Sequence, residues 1–187
     1  MNWNRNWERY AHVEYFLRDG TRIINTGAGL KIAGGCSRGF EQKSFGVYFR
    51  DKYGADNVRY PLFRSKQADR FKALMLRNSG NDFNRTMIQD ALMQTLLIGE
   101  MDIDYNAYTP SVVYLNGEYW GIMNTREKIN EAYFITNYGL DEDSIDFLEN
   151  NQSVLAGSAA DYNALNNYIT NNDLSVTAHY QYVKDRI

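Results

Sequence analysis

The sequence predicts an α+β fold in which helices pack against a mainly antiparallel sheet. Strand-like patterns dominate residues 27–129, whereas apolar residues at helical spacing dominate residues 130–187. The clearest pattern lies at residues 112–123, where two strand-like runs flank Asn116-Gly117, a dipeptide typical of type I′ hairpin turns. Strands followed by helices favour antiparallel pairing over an alternating βαβ arrangement.

Further elements are predicted within the sheet-rich part. Residues 30–32 follow a glycine turn and form a strand. Apolar side chains recur at every second position in residues 45–49 and again in residues 74–76, so both segments are predicted strands. Residues 86–98 have the spacing of a helix, and apolar side chains on two of its faces predict that it is covered on two sides.

Length, charge and cysteine content narrow the class of protein. A chain of 187 residues is long enough for a substantial core, and we expect residues 1–187 to form a single domain. The net charge of -3 disfavours a nucleic-acid partner, because phosphate backbones require a basic surface. The single cysteine, Cys36, excludes an internal disulfide. No apolar run of about 18 residues occurs, so no membrane span is predicted, and residues 1–5 do not resemble a signal peptide.

Residues 34–39, Gly-Gly-Cys-Ser-Arg-Gly, form a glycine-rich loop between two predicted strands. Backbone N–H groups of such a loop can surround phosphates, and Lys43 could meet them as a point charge. An ordinary glycine turn beside a solvated lysine is the alternative, and the loop alone favours it. The loop is not a Walker A sequence, because Phe40 rather than lysine follows Gly39.

The same loop matches the Gly-x-Ser-x-Gly nucleophile elbow of serine hydrolases through Gly35, Ser37 and Gly39, with His179 downstream. An elbow joins a strand to a helix, whereas the period-two pattern after Ser37 predicts a strand. A serine hydrolase is therefore a remote alternative.

Four polar side chains outside the loop could serve either a site or the fold. Asp90 lies on the predicted helix, where its carboxylate could pair with a phosphate-binding lysine or could face solvent. Arg77, Asn78 and Asp82 surround Gly80 in a typical turn sequence, and which of the three could touch a ligand stays open; Asn78 and Asp82 have side chains that commonly tie such a loop together. For these two residues we favour side-chain hydrogen bonds to the backbone over contact with a ligand.

Two charged runs complete the candidates. Arg126-Glu127-Lys128 end the hairpin strand and could form part of a binding site or a surface cluster of ion pairs. Residues 141–146 are rich in acids but lack the glycine and the final glutamate of an EF-hand loop, so a helix-capping turn is favoured. The histidines and the cysteine lack zinc-ligand spacing, and no metal-binding residue is predicted.

Three islands of sequence give a more specific prediction. They are Gly34-Gly35-Cys36-Ser37-Arg38-Gly39 with Lys43-Ser44-Phe45, Leu76-Arg77-Asn78-Ser79-Gly80-Asn81-Asp82, and Asn116-Gly117-Glu118-Tyr119-Trp120-Gly121 with Arg126-Glu127-Lys128-Ile129. In this order and spacing they resemble the spore coat protein H (CotH) kinase family, a distant branch of the protein-kinase fold. The resemblance implies a kinase-like N-terminal lobe in residues 27–129 and the helical start of a second lobe in residues 130–187.

The resemblance also implies an activity and a nucleotide site. CotH proteins are atypical kinases that use ATP and Mg²⁺ to phosphorylate serine or threonine in coat or surface proteins. The residues implied at the nucleotide site are Ser37, Arg38, Lys43, Asp90, Thr125, Arg126 and Glu127. The first three would lie near the phosphates, Asp90 would orient Lys43 through an ion pair, and the last three would form the hinge that meets adenine.

No equivalent of the His-Arg-Asp or Asp-Phe-Gly kinase motifs occurs in the sequence. The resemblance therefore implies that the catalytic and metal-binding aspartates follow Ile187 in a longer parent protein, and that residues 1–187 alone transfer little or no phosphate. A non-catalytic binding or structural module of the cell envelope is the alternative interpretation. Both interpretations imply a secreted or envelope-associated bacterial protein whose phosphate acceptor the sequence does not identify.

Overall fold

The structure, a computed structural model, describes residues 2–150 and 153–187. Residue contacts group into two compact units, one ending at Gly139 and the other beginning at Leu140. The elements of the first unit are β1 (Arg9–Phe16), β2 (Arg22–Ala33), β3 (Ser44–Tyr48), β4 (Val58–Arg59), β5 (Arg70–Phe71), β6 (Ala73–Arg77), α1 (Gln89–Leu96), β7 (Tyr108–Leu115), β8 (Glu118–Glu127) and α2 (Glu131–Tyr138). Those of the second unit are β9 (Phe147–Glu149), β10 (Ser153–Ala156), α3 (Ala160–Asn171) and α4 (Thr177–Lys184).

The main sheet confirms the predicted α+β class with antiparallel pairing. Among the described residues it has six strands in the order β1-β2-β3-β6-β8-β7, and every neighbouring pair is antiparallel. Strands β4 and β5 form a separate two-stranded ladder. The element that follows Ser37 is the antiparallel strand β3, whereas a nucleophile elbow requires a helix there.

The hairpin predicted at residues 112–123 is confirmed and is longer than expected, since it comprises all of β7 and β8. Asn116 and Gly117 have φ values of 52° and 84°, the positive angles that a type I′ turn requires at both central positions. The register shifts between Val113 and Tyr114, which marks an irregularity in β7.

Helix α1 is shorter than predicted, and the expectation that it is covered on two sides is wrong. Ala91 is buried, but Leu92 and Leu96 are 47% and 60% exposed. Polar contacts from Asn124 and Arg126 hold the start of the helix on the sheet beside the buried Ala91. None of the helices among the described residues has both the length and the apolar character that a membrane crossing requires.

The hydrophobic core lies on one face of the main sheet. Strands β2, β3 and β6 contribute to it, and the segment between β3 and β6 covers it. Its buried members are Ile24, Ala28, Val47, Phe49, Val58, Leu62, Phe63, Ala68, Phe71, Leu74 and Ala107. Phe63 and Phe71 meet edge to face at 5.4 Å between ring centroids, a favoured aromatic geometry. The opposite face of the sheet is therefore available to carry polar groups.

The second unit pairs β9 with β10 in an antiparallel ladder and continues into α3 and α4. Residues 141–146 form the predicted capping turn, in which the Asp141 carboxylate accepts a hydrogen bond from the Asp143 N–H at 3.2 Å. Ser158 Oγ accepts from the Ala160 N–H at 3.2 Å at the start of α3.

Candidate functional site

The sequence islands converge at one end of the main sheet, where Asn78 is at the centre and fully buried. Its Oδ1 accepts hydrogen bonds from Ser44 Oγ at 2.7 Å and from the Gly80 N–H at 3.0 Å. Its Nδ2 donates to the Gln42 carbonyl at 2.6 Å, and its own N–H donates to Ser44 Oγ at 2.9 Å. These bonds confirm the structural role predicted for Asn78, because they satisfy buried groups from two islands at once.

Gln42 extends the junction to the third island. Its Nε2 donates to the Trp120 carbonyl at 3.1 Å, and Trp120 Nε1 in turn donates to the Lys43 carbonyl at 3.4 Å. Gly121, between these contacts, has a φ of 133°, and a Cβ there would lie 2.1 Å from Gln42 Nε2. A larger residue would be strained at this positive φ and would displace the Gln42 amide, which anchors the connection between β2 and β3 (residues 34–43, the 34–43 loop) to β8.

Asp82 has the structural role predicted for it, at the start of α1. Its Oδ2 accepts from Thr86 Oγ1 at 2.6 Å and from the Gln89 N–H at 3.0 Å. A carboxylate at this position satisfies N–H groups that lack a partner within the helix. The turn that begins at Asn78 therefore sets where α1 begins and where Asp90 lies.

A charged cluster forms where α1 meets the sheet. The Asp90 carboxylate accepts a hydrogen bond from Arg126 Nη1, and Arg77 Nε lies 3.0 Å from its Oδ2. Gln94 Nε2 donates to its Oδ1 at 3.0 Å, and Arg126 Nη2 donates to the Asn106 carbonyl at 2.9 Å. Arg126 is only 2% exposed. Asp90 is therefore paired with cations although its side chain is 35% exposed, and the alternative of a surface cluster at Arg126 is wrong.

Strand register explains why these side chains meet. Arg77 on β6 pairs with Asn124 on β8, and Met75 pairs with Arg126. Paired residues of antiparallel strands point to the same face, so Arg77, Asn124 and Arg126 share the face opposite the core. Asn124 Nδ2 donates to the Met87 carbonyl at 3.0 Å, which holds the chain that leads into α1 against this face.

The ion pair expected between Lys43 and Asp90 is not formed. Among the described residues, the cations that pair with Asp90 are Arg77 and Arg126. Lys43 Nζ donates to the Phe40 carbonyl and lies 5.9 Å from the centre of the Trp3 ring. The physical reason is strand order. Lys43 precedes β3, whereas the strand directly before α1 is β6, whose last residue is Arg77.

The sequence leaves open whether Arg77 touches a ligand, and it does not indicate that Arg77 pairs with Asp90. Strand order offered the missing signal: the cation nearest to the helix acid should lie on the strand that immediately precedes the helix, and residues 74–76 were already a predicted strand. Lys43 lies just before the earlier strand β3 and does not satisfy that rule.

Ser37 and Arg38 lie in a compact 3₁₀ turn, Cys36–Gly39, within the glycine-rich loop. Ser37 is buried, and its carbonyl accepts from the Phe40 N–H at 3.1 Å. Arg38 Nη2 donates to the Arg5 carbonyl at 3.3 Å. The Phe40 ring stacks on Phe83 at 5.6 Å, which links this loop to the turn before α1. The phosphate contacts implied for Ser37, Arg38 and Lys43 stay predictions.

Thr125, Arg126 and Glu127 lie inside the sheet, where β8 runs between β6 and β7. The Glu127 N–H donates to the Ala107 carbonyl at 3.0 Å, and its carbonyl accepts from Asn106 Nδ2 at 2.9 Å. Main-chain groups here are directed to neighbouring strands and loops, and the chain leaves the sheet at residues 128–130. The implied adenine contact of these three residues also stays a prediction.

The side chains that commonly bind metal ions are scattered in the described part of the chain. In residues 2–150 and 153–187, His, Cys, Asp and Glu side chains do not gather in groups of three or more that could hold an ion.

The charged cluster makes stability depend on acid pH. Burial raises the pKa of Asp90, but the Arg126 charge, the Gln94 hydrogen bond and the Arg77 charge outweigh it and hold the pKa below its ordinary value. A lowered pKa stabilises the fold above the unfolded value of about 4, and that contribution is lost as pH falls through the folded pKa. Urea midpoints should therefore decrease between about pH 5 and about pH 2.5, and less steeply in Asp90→Asn.

The matched control for these urea-unfolding measurements at different pH values is Asp161→Asn, which changes an exposed carboxylate in α3. It should reproduce the native pH dependence. Identical acid profiles for the native protein and for Asp90→Asn would contradict the interpretation that the cluster stabilises the fold.

Two comparisons with known proteins bear on this site. The family model described as CotH kinase protein matches residues 30–186, which span all three islands and both compact units. A search of curated proteins found no match. Since the family match covers most of the 187 residues, the chain belongs to the CotH kinase protein family.

Proposed function

We propose that this CotH-family chain binds ATP and supplies a phosphate site for phosphoryl transfer to serine or threonine hydroxyls of a coat or surface protein. The observation that carries the proposal is the 3.0 Å contact between Arg77 and Asp90. In protein kinases a cation on the third strand pairs with an acid on the helix that follows. Counted from β2 along the main sheet, β6 is the third strand, and α1 is the next helix.

Arg77 is the proposed phosphate ligand. Its side chain is 32% exposed, and its guanidinium offers several N–H donors in a plane that suits phosphate oxygens. Asp90 orients Arg77, and the buried Arg126 fixes Asp90 from the sheet side. The 34–43 loop, with Ser37, Arg38 and Lys43, is the proposed cover of the phosphates, because Gln42 and Asn78 tie its end to the same junction.

The adenine is proposed to meet residues 128–130, where the chain leaves the sheet after Thr125, Arg126 and Glu127. Residues 27–129 then correspond to a kinase-like N-terminal lobe and residues 130–187 to the start of a second lobe. The described residues contain no cluster of side chains suited to hold Mg²⁺, so none of them is proposed as its ligand. A phosphate acceptor of coat or surface type further favours a secreted or envelope-associated protein.

Replacing Arg77 by methionine should weaken ATP binding by about ten- to a hundredfold. The variant removes charged hydrogen bonds to phosphate, each of which contributes about 1.5–3 kcal/mol. Isothermal titration calorimetry with ATP measures the change, and Arg59→Met serves as the control because Arg59 is an exposed arginine on the separate strand β4.

The ATP titrations test two claims separately: that the protein binds ATP, and that Arg77 holds the phosphates. A native protein that fails to bind ATP would overturn the proposal entirely. Native binding that Arg77→Met leaves intact would overturn the role of this arginine, and a parallel Lys43→Met variant would then show whether the lysine implied by the family resemblance holds the phosphates instead.

A further inference from the structure

On the face of the sheet opposite Asp90, Lys66 and Glu127 form a buried ion pair. Lys66 Nζ lies 2.9 Å from Glu127 Oε2, and the two side chains are only 7% and 3% exposed. The ammonium also lies over the rings of Tyr133 and Tyr105, at 4.0 and 4.5 Å from their centres. Loss of one partner of a pair so completely removed from water leaves the other charge buried and unpaired, which strongly destabilises the fold.

Hydrogen bonds connect this pair to helix α2. Lys66 Nζ donates to Tyr133 Oη at 2.7 Å, and Tyr133 Oη donates to Asp104 Oδ1 at 2.8 Å. Asn137 Nδ2 donates to Glu127 Oε1 at 2.7 Å. Glu127 Oε2 therefore faces the Lys66 ammonium in the ion pair, and Oε1 accepts a hydrogen bond from α2.

The main chain of Glu127 is engaged as well, by Ala107 and Asn106. Glu127 is the last residue of β8, and residues 128–130 connect it to α2, which begins at Glu131. Both ends of this short connection are thus fixed by one network, in which Lys66 is the cation.

We propose that Lys66 is a positioning residue for the nucleobase: its ion pair with Glu127 holds the 128–130 connection in the conformation that meets the base. The inference rests on the proposed function. Lys66 lies on the opposite face from the Arg77–Asp90 pair, because successive residues of β8, Arg126 and Glu127, point to opposite faces. It should therefore act on recognition of the base and leave recognition of the phosphates unchanged.

The structure provides a conservative variant. A cavity of about 390 Å³ borders Lys66, with Tyr105, Tyr133 and Tyr138 among its walls. This space can accept the larger guanidinium of Lys66→Arg, which keeps the charge and stacks well on aromatic rings. The double variant Lys66→Met, Glu127→Gln removes the ion pair without leaving a buried charge unpaired, so it should stay folded.

The experiment compares the affinities of ATP and inorganic triphosphate in the same magnesium-containing buffer. For the folded double variant we expect ATP binding to weaken by about tenfold and triphosphate binding to change by less than about twofold. Lys66→Arg should bind both ligands as the native protein does. Lys52→Met, at a lysine that is 61% exposed, is the matched control for loss of an ammonium. Amide hydrogen exchange in residues 128–130 should be faster in the double variant than in the native protein.

Equal weakening of ATP and triphosphate in the double variant would overturn the positioning role, and so would native ATP affinity. Loss of ATP affinity in Lys66→Arg as large as in the double variant would also overturn it, because the ion pair would then not be what matters. Failure of the native protein to bind ATP is a separate result that would overturn the proposed function itself.

Discussion

Replacing Asn78 by alanine is expected to destabilise the protein by about 3–5 kcal/mol. The change leaves Ser44 Oγ, the Gly80 N–H and the Gln42 carbonyl without their partner in a buried position, and each unsatisfied group costs about 1–3 kcal/mol. Thermal unfolding followed by circular dichroism should show a decrease in Tm of about 10 °C or more.

The neighbouring asparagine provides the control for this variant. Asn81 lies in the same turn but is exposed, so Asn81→Ala should change Tm by only about 1–2 °C. Equal effects of the two variants would show that the buried hydrogen bonds of Asn78 do not hold the islands together.

Replacing Asp90 by asparagine is expected to cost about 2–3 kcal/mol and to weaken ATP binding. Breaking a buried ion pair costs about 3–5 kcal/mol because the remaining charge is left buried, here that of Arg126. The expected loss is smaller here because the Asp90 side chain is 35% exposed, so water partly compensates Arg126 and Arg77. Urea denaturation at pH 7 measures the loss of stability.

Glu118→Gln removes an exposed carboxylate at the other end of β8 and should leave the free energy of unfolding within about 0.5 kcal/mol of the native value. A native-like stability of Asp90→Asn would mean that Arg126 finds a sufficient partner elsewhere, and the cluster would then lose its role in orienting Arg77.

The hairpin and the strands around it could be predicted because their signals are local. Asn116-Gly117 determines a turn by backbone conformation alone, and alternation at residues 45–49 places Phe45, Val47 and Phe49 on one face, where all three are buried. The prediction that helix α1 is covered on two sides is wrong because apolar spacing shows which residues could be buried, not whether another element covers them. Leu92 and Leu96 have the spacing of a core stripe and are nevertheless exposed.

The ion pairs of the candidate site could not be predicted from the periodicity of apolar residues, because they depend on which strands are neighbours in the sheet. Asp90 was identified as a candidate from its place on a helix, but its partners depend on β6 lying beside β8. The sequence offers no reason to expect that Lys66 is buried, because a lysine in an irregular segment is usually solvated. Its burial beside Glu127 follows only from how the segment between β3 and β6 folds over the core.

The central position of β6 has a consequence for folding kinetics. Strands β1 and β2 are joined by a short turn, as are β7 and β8, whereas β6 pairs with β3 and β8 across long connections. Local hairpins close within microseconds, and pairings that close long loops come later because their entropic cost is larger. The two halves of the sheet should therefore form first and join through β6. Since Arg77 and Asn78 lie at and just after the end of β6, the proposed phosphate site would be complete only once that slowest joining step has occurred.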